Sequence, residues 1–252
     1  MGKKGKSICL FSSKGGTGKS SIATLLSGFF AMQEKKVLII DFDLSFGSIG
    51  LLLNKESSKN IYDLYSDYSN NKFTDISDYV TRYNDKILFL ASPSDPRQGA
   101  KINDAFIKFI LEKSIYSYDY IIIDTNSDCS SSNIDLLDNV DNILFVMNND
   151  LLNIKNMRSM INIFKVAGKT NYKVLLNEST NPYKNYYSLY DIKKMVGTGV
   201  DYYLSSNFFM KNYDSLVFDG SIITLDKKFS KIYPKANKAF TSIYNDMEES
   251  NE

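Results

Sequence analysis

The sequence predicts a three-layer α/β fold, in which helices flank a mostly parallel, doubly wound central sheet. Short runs rich in Ile, Leu and Val alternate with helical patterns along the chain, as is typical of βαβ units. Most of these runs are continuously apolar, as expected for strands covered on both faces. A chain of 252 residues has room for one large domain. We therefore expect a single domain over residues 1–252, with flexible tails at 1–6 and 246–252.

The predicted elements follow one another in regular order. Seven apolar runs predict strands at 7–12, 36–42, 87–91, 120–124, 142–147, 172–177 and 201–204. Helical periodicity predicts helices at 20–33, 101–115, 154–166, 188–196 and 235–247. Ser188 and Asp191 have the spacing of a capping box, which predicts a helix start at Ser188. The polar stretch 54–85 predicts short helices on the surface.

Composition excludes several classes of function. The chain has 30 basic and 29 acidic residues, so no strong field draws it to nucleic acid or anionic lipid. It has no histidine, which excludes a histidine general base, a histidine-ligated zinc and a Ser-His-Asp triad. Its two cysteines, Cys9 and Cys129, form no disulfide framework. No apolar run has the length of a signal peptide core or a membrane span. These features predict a cytoplasmic protein.

A glycine-rich loop lies between the first predicted strand and the first predicted helix. Glycines accept positive φ and allow backbone N–H groups to converge on an anion, and the following helix contributes its N-terminal amides. Lys19 would reach the β- and γ-phosphates of a nucleotide, and the Ser20 hydroxyl would ligate Mg²⁺. The sequence therefore predicts a P-loop, the phosphate site of P-loop NTPases. The predicted nucleotide-binding residues of this loop are Gly15, Gly16, Thr17, Gly18, Lys19, Ser20 and Ser21.

Carboxylate and amide side chains end several of the predicted strands. Asp41 and Asp43 end the second strand, Asp124 ends the fourth, and Asn177 ends the sixth. Ligands of open α/β sheets bind at the carboxyl ends of the strands. Mg²⁺ bound with a triphosphate takes oxygen ligands and often holds carboxylates through water. We therefore expect these three carboxylates to lie beside a Mg²⁺ site, and the Asn177 amide could meet the edge of a purine.

Together these residues resemble the deviant Walker A ATPases of the MinD/ParA group. The signature K-G-G-x-G-K-[ST] matches residues 14–20 without a gap, and the runs 37–43, 121–125 and 175–177 resemble the later motifs. The resemblance implies that Lys19 holds the phosphates and that Asp43 orients the attacking water. It implies a Mg²⁺ site at Ser20, Asp41 and Asp124, and an adenine contact at Asn177. It also implies that Lys14 reaches across a homodimer interface to the nucleotide of the partner subunit. The implied cofactors are ATP or ADP and Mg²⁺, and the implied activity is ATP hydrolysis.

Within this group, the run 41–48 followed by three leucines most resembles the CpaE/TadZ pilus-assembly branch. That branch reads D-x-D-L-Q-F-G-D, from which Ser45 and Ser48 depart, and its usual receiver-like N-terminal domain is absent from this sequence. The resemblance implies a molecular switch whose ATP-dependent dimerisation positions a partner assembly, with type IV or Tad pilus or secretion machinery as the expected partner. Such a partner would recruit the protein to the inner face of the membrane or to a cell pole.

The segment after Asp124 departs from the MinD/ParA pattern. Members of the group commonly read D-T-P-P-G there, whereas this chain continues with Thr125, Asn126, Ser127 and Asp128. Losing two prolines makes a loop less preorganised, and losing the glycine removes a position that tolerates positive φ. Asp128 would also bring a carboxylate towards the γ-phosphate. We therefore expect nucleotide binding with slow hydrolysis.

Three other functions remain open from the sequence. A ParA-like DNA-partitioning ATPase would need a basic surface, which the clusters at 193–194 and 227–228 could form in space. Membrane positioning would need a basic amphipathic C-terminal helix, but the chain ends in acidic residues. An iron–sulfur enzyme would use paired cysteines near the loop, but Cys9 lies on the first strand and is expected to be buried.

Overall fold

The strands of the protein form a single eight-stranded sheet. The computed structural model describes residues 3–103, 106–181, 183 and 186–249. The strand order is β3-β4-β2-β5-β1-β6-β7-β8, and every neighbouring pair is parallel except the antiparallel pair β3 and β4. The strands are β1 (Lys6–Phe11), β2 (Val37–Phe42), β3 (Thr81–Arg82), β4 (Ile87–Leu90), β5 (Tyr120–Thr125), β6 (Asn142–Met147), β7 (Tyr172–Asn177) and β8 (Tyr202–Leu204).

Helices cover both faces of this sheet. They are α1 (Lys19–Met32), α2 (Ile49–Leu52), α3 (Ile61–Ser69), α4 (Pro96–Gly99), α5 (Phe106–Ser114), α6 (Ser131–Asn139), α7 (Leu151–Val166), α8 (Leu189–Val196), α9 (Tyr213–Phe218), α10 (Phe229–Ile232) and α11 (Pro234–Glu249). Three short 3₁₀ helices lie at Ile76–Asp78, Ser206–Phe208 and Ile223–Leu225.

The two faces of the sheet build two hydrophobic cores. Successive side chains of a strand point to opposite faces, so Ile8 and Leu10 of β1 pack with α1 and α11, whereas Cys9 and Phe11 pack on the other face. That other face is covered by α3 and by α5 to α8. All six residues of β1 are buried, and its last four, Ile8 to Phe11, form a continuous apolar run. The predicted three-layer fold with its mostly parallel sheet is therefore confirmed.

Several elements differ from the sequence-based expectations. The two-residue β3 lies at the sheet edge and is too short to show periodicity. Helix α6 was not predicted because its sequence is mostly polar, and the cap at Ser130 starts it instead. Residues 101–103 of the expected helix 101–115 are not helical, and residues 104–105 lie outside the described chain. The described helix is α5, Phe106–Ser114. The capping box of Ser188 and Asp191 is present at the start of α8.

Both expected tails are partly structured. Lys6 begins β1, and α11 continues through Glu249, beyond the expected end at Met247. The two ends contact each other, since the Lys6 ammonium donates to the carbonyl oxygen of Met247. The Tyr120 hydroxyl donates to Glu248, which also pairs with Lys35 at 3.2 Å. The acidic end of the chain is therefore held by hydrogen bonds that its sequence does not reveal.

No helix in the described ranges combines the length and the apolar character that crossing a bilayer requires.

Candidate functional site

The glycine-rich loop lies between β1 and α1 at the carboxyl end of the sheet. Gly16 and Gly18 have positive φ of 75° and 88°, the left-handed region that favours glycine. A Cβ at Gly18 would lie 2.8 Å from Asn177 Nδ2, so only glycine fits at this close approach. Cβ atoms at Gly15 and Gly16 would meet nothing within 4 Å, so this part of the loop faces open space. The loop thus has the shape of a phosphate cradle.

Side chains from other elements hold the loop in place. Asn177 Nδ2 donates to the Thr17 carbonyl oxygen at 2.9 Å, and Asn153 Nδ2 of α7 lies 3.3 Å from the hydroxyls of Ser12 and Ser13. Asn177 Oδ1 also accepts from the Ser179 amide and hydroxyl. Within the described chain the second N–H of its carboxamide has no acceptor and is available to a base. Asn177 is thus first an anchor of the loop, and its adenine contact stays a prediction.

Lys19 is the first residue of α1, and its side chain is largely buried. Its ammonium donates to the Ser127 hydroxyl at 2.7 Å. Burial lowers the pKa of Lys19, while the charges of Asp124 and Asp43 oppose that change. Lys19 therefore lies between the glycine loop and the segment after β5, where a phosphate held by the loop would meet it.

The pairing of β2 with β5 sets Asp41 opposite Asp124. Each aspartate is 1% exposed. Asp41 accepts from the Ile49 amide at 2.9 Å. Within the described chain, the other oxygen of Asp41 and both oxygens of Asp124 have no hydrogen bond of standard geometry. Burial raises the pKa of Asp41 to about 8 and that of Asp124 to about 6; Ser20 and Lys19 oppose the rise at Asp124.

Unpaired buried carboxylate oxygens are costly unless a cation or a proton satisfies them. Asp124 lies close enough to the Ser20 side chain for that hydroxyl to affect its pKa. A hydroxyl and carboxylate oxygens form the hard-oxygen set that Mg²⁺ prefers. The donor chemistry of Ser20, Asp41 and Asp124 therefore fits Mg²⁺.

Asp43 follows β2 and is half-buried. Its Oδ1 accepts from the amides of Ser45 and Phe46 at 3.3 and 3.1 Å, so Asp43 closes the turn after β2. None of the described residues donates to its other carboxylate oxygen, which can accept from a water molecule. The role of Asp43 in orienting the attacking water stays a prediction.

Lys14 contacts its own chain in this structure. Its ammonium lies 2.9 Å from Asp150 Oδ1, and the two side chains are 40% and 36% exposed. Asp150 caps α7 by accepting from the Asn153 amide. That hydrogen bond and the charge of Lys14 lower the pKa of Asp150. An exposed pair of this kind contributes about 0.2–1 kcal/mol, so a phosphate group competes with it readily.

The segment 125–133, called the switch II loop below, is held by hydrogen bonds of its own side chains. The Thr125 hydroxyl donates to the Leu10 carbonyl oxygen at 2.8 Å. Buried Asn133 Nδ2 lies 2.5 Å from Asn126 Oδ1 and 2.9 Å from Asp128 Oδ1. Asp128 also accepts from the Ser130 amide. The expected loss of preorganisation is therefore offset by this network, which ties the Asp128 carboxylate to the start of α6. Exposed Cys129 lies in the same loop.

A mostly apolar cavity of about 300 Å³ opens on the other side of the glycine loop. Asn177, Phe208, Phe209, Met210 and Tyr213 contribute to its lining. The Tyr213 hydroxyl donates to the Ser21 hydroxyl at 2.7 Å. This cavity lies at the lower end of the size range of small-molecule sites, and its apolar walls suit a flat purine base.

Four residues of this site were not predicted from the sequence. Ser127 stands out in the sequence only as a departure from the D-T-P-P-G pattern, Asn133 follows that segment, and Asn153 and Tyr213 lie on distant helices. A polar residue on the apolar pattern of a helix was the available signal for Asn153, which is fully buried.

The sequence of this chain is similar to those of known proteins. A model of the AAA domain family matches residues 5–177. An uncharacterized ATP-binding protein of Methanocaldococcus jannaschii is 26% identical over 172 residues, covering 68% of this chain and 63% of that protein. The septum site-determining protein MinD of Thermotoga maritima is 31% identical over 121 residues, covering 48% and 44%. The chain thus spans about half to two thirds of the length of the curated relatives it matches.

Solved structures resemble the whole fold. A ParA family ATPase from Chlorobium tepidum superposes with a TM-score of 0.78 at 18% identity, over 95% of this chain and 99% of that one. MinD of Pyrococcus horikoshii, complexed with Mg-ADP, superposes with a TM-score of 0.73 at 17% identity, over 98% and 96%. The chain therefore belongs to the AAA domain family, and its fold is that of the MinD and ParA ATPases.

Proposed function

We propose that this protein is an ATP-binding, ATP-hydrolysing switch that requires Mg²⁺. The observation that carries the proposal is the buried carboxylate of Asp124, which has no hydrogen bond of standard geometry within the described chain and lies beside Lys19 and Ser20. A cation and a phosphate group together would satisfy these charges. The ATP-binding relative and the Mg-ADP complex of MinD support the same choice of ligand.

Each group of residues in the site has a separate role in this proposal. The amides of the glycine loop and Lys19 bind the phosphates, and Ser20, Asp41 and Asp124 hold Mg²⁺ directly or through water. When bound, Mg²⁺ neutralises the charge that develops on the phosphate oxygens. Asp43 uses its remaining oxygen to orient the attacking water. Phosphoryl transfer needs positioning and electrostatics more than covalent chemistry, so a site without histidine suffices.

The base of the nucleotide would occupy the cavity beside Asn177. Phe209, Met210 and Tyr213 are half-buried there and offer apolar surface to a purine. The free N–H of Asn177 can donate to a ring nitrogen, and Tyr213 fixes the Ser21 hydroxyl at the phosphate side. Hydrolysis is slow in this proposal, because the hydrogen-bonded switch II loop must rearrange to complete the site.

Dimerisation would couple the nucleotide to the partner assembly. Lys14 exchanges its weak pair with Asp150 for the phosphates of the partner subunit, which carry more charge in ATP than in ADP. Light scattering with Mg-ADP and with Mg-AMPPNP tests this step. We expect a dimer only with AMPPNP, and a monomer in both conditions for Lys14→Ala. Lys211→Ala, at an exposed lysine outside the loop, is the control. An unchanged mass with AMPPNP would contradict the switch.

The partner in this proposal is pilus or secretion machinery of the CpaE/TadZ kind. The segment that carries this resemblance presents Phe46 and Leu51, which are 82% and 72% exposed. Exposed apolar side chains of this size suit a protein contact. We expect Phe46→Ser to retain nucleotide affinity and to abolish piliation or secretion in the source cell. Normal assembly in a Phe46→Ser, Leu51→Ser double variant would contradict this partner surface.

A further inference from the structure

Ser127 occupies a position that the proposed roles do not use. Its hydroxyl oxygen accepts a hydrogen bond from the Lys19 ammonium at 2.7 Å. An ammonium has three donors, so Lys19 retains two for phosphate oxygens. A phosphate bound by Lys19 would therefore lie beside Ser127 without displacing it.

The Ser127 hydroxyl also has a proton to donate. Because its oxygen accepts from Lys19, its own O–H points elsewhere, and none of the described residues accepts a hydrogen bond from it with standard geometry. A half-buried hydroxyl with an unused donor, directed by a neighbouring cation, matches a ligand that brings an additional acceptor oxygen.

The backbone on both sides of Ser127 is fixed. Before it, Thr125 is tied to the Leu10 carbonyl oxygen of β1. After it, Asn126 and Asp128 are tied to buried Asn133. A donor held in place before its ligand arrives costs little reorganisation when the ligand binds. Ser127 is therefore preorganised towards the phosphate loop.

Sheet order identifies the phosphate that Ser127 would meet. The base cavity lies at Asn177 on the β7 side of β1, whereas Ser127 follows β5 on the opposite side of β1. A nucleotide whose base enters that cavity extends its phosphates across the glycine loop towards β5. The terminal phosphate of ATP reaches furthest in this direction, and ADP lacks it.

We propose that the Ser127 hydroxyl donates a hydrogen bond to the γ-phosphate of ATP and makes the site distinguish ATP from ADP. This inference rests on the proposed nucleotide-binding function. Ser127 keeps its proton and forms no covalent bond; it reads the presence of the γ-phosphate and connects it to the switch II loop.

Titration calorimetry with Mg-ADP and Mg-AMPPNP tests the proposal on four proteins. These are the wild type, Ser127→Ala, the hydroxyl-retaining Ser127→Thr, and the control Ser131→Ala, at an exposed serine of the same segment. We expect Ser127→Ala to weaken AMPPNP about tenfold, equivalent to about 1.4 kcal/mol, and to change ADP affinity less than twofold. Ser127→Thr should restore most of the preference, and Ser131→Ala should match the wild type.

The outcomes separate the possible failures. Equal weakening of both nucleotides by Ser127→Ala would mean that Ser127 only positions Lys19, and would overturn the discrimination. Unchanged affinity for both nucleotides would overturn the contact itself. A wild type that binds neither nucleotide would instead overturn the proposed function. If Ser127→Ala does not fold by circular dichroism, Ser127→Cys provides the comparison, because a thiol is a weak donor, and an unchanged AMPPNP preference there would also overturn the proposal.

Discussion

The phosphate loop and the switch II loop lie side by side, yet they are held in opposite ways. The phosphate loop is anchored from outside, by Asn177 and Asn153, and its own amides face open space. The switch II loop is anchored by its own side chains, through Asn126, Asp128 and Asn133. The first arrangement leaves the loop amides ready for a ligand. In the second, Asn126, Asp128 and Asn133 bond to one another before a ligand arrives, and Ser127 keeps one donor. The glycine-rich loop is therefore open to a ligand, whereas the switch II loop is restrained by its own hydrogen bonds.

The two carboxylates of this region show the same contrast. Asp124 is buried, and neither of its oxygens has a hydrogen bond of standard geometry in the described chain. Asp128, four residues later, is exposed and accepts from Asn126, Ser130 and Asn133. A buried carboxylate with only the nearby Ser20 hydroxyl and the Lys19 charge beside it favours a cation, whereas a carboxylate with several hydrogen bonds stabilises a turn. The Asp128 carboxylate is therefore held by the turn before α6, and its approach to a γ-phosphate stays a prediction.

The largest expected effect concerns the buried carboxylates of Asp41 and Asp124, which are tested by the pH dependence of the free energy of unfolding. Asp41 and Asp124 keep protons in the folded state that the unfolded chain releases near pH 4, since burial raises their pKa values to about 8 and about 6. The folded state then binds more protons, so the free energy of unfolding falls as pH rises from 4 to 8. The slope approaches about 1.4 kcal/mol per pH unit for each proton. Urea denaturation without nucleotide at pH 5, 6, 7 and 8 measures it.

Asp41→Asn should flatten this slope and stabilise the protein at pH 8, whereas exposed Asp214→Asn should leave the slope unchanged. Mg²⁺ requires the charged carboxylates, so Mg²⁺ affinity should rise over the same range of pH. A free energy of unfolding that rises with pH in the wild type and in Asp214→Asn would show that these two carboxylates are charged in the folded state.

The second effect tests the geometry of the phosphate loop. Gly18→Ala places a Cβ 2.8 Å from Asn177 Nδ2 at a φ of 88°, and the left-handed strain alone costs about 1–2 kcal/mol. With the displaced anchor we expect about 100-fold weaker nucleotide binding, measured by calorimetry. Gly168→Ala is the matched control, because Gly168 has a φ of 68° outside the site and its Cβ meets nothing within 4 Å. Equal losses in the two variants would mean that the effect comes from overall stability and not from the close approach to Asn177.

The third effect tests the hydrogen-bond network of the switch II loop. Asn133→Ala removes the amide that contacts Asn126 and Asp128, and leaves polar groups without their partner at a cost of about 1–3 kcal/mol. We expect a lower melting temperature, faster hydrogen exchange in the switch II loop and faster ATP turnover. Asn139→Ala, which removes an amide at the other end of the same helix and outside this network, is the control. Slower turnover with the same loss of stability would show that the network serves catalysis and not restraint.

The smallest effect tests the far wall of the nucleotide cavity. Tyr213→Phe keeps the ring and removes the hydroxyl that donates to Ser21. One hydrogen bond contributes about 0.5–1.5 kcal/mol, so we expect nucleotide affinity to fall about threefold to tenfold. Tyr190→Phe, at a tyrosine 75% exposed on α8, should have no effect. Nucleotide binding unaffected by Tyr213→Ala would place the base elsewhere.

The accuracy of the sequence-based predictions follows the range of the interactions. The strands and the glycine loop were predictable, because Ile122 and its neighbours are buried on both faces and the loop chemistry is local. The anchors of the site were not, since Asn133, Asn153 and Tyr213 act through side-chain contacts that no spacing in the chain encodes. Asn177 was correctly placed at a strand end, but its bonds to Thr17 and Ser179 required coordinates.

The distribution of the two thiols has a practical consequence. Cys9 is fully buried in β1, and burial raises the pKa of its thiol far above the usual range, so it resists alkylating reagents. Cys129 is exposed in the switch II loop. A maleimide dye added to the native protein should therefore label Cys129 selectively. The protein carries its own attachment point for a fluorescent reporter at the segment whose rearrangement would accompany each turn of the nucleotide cycle.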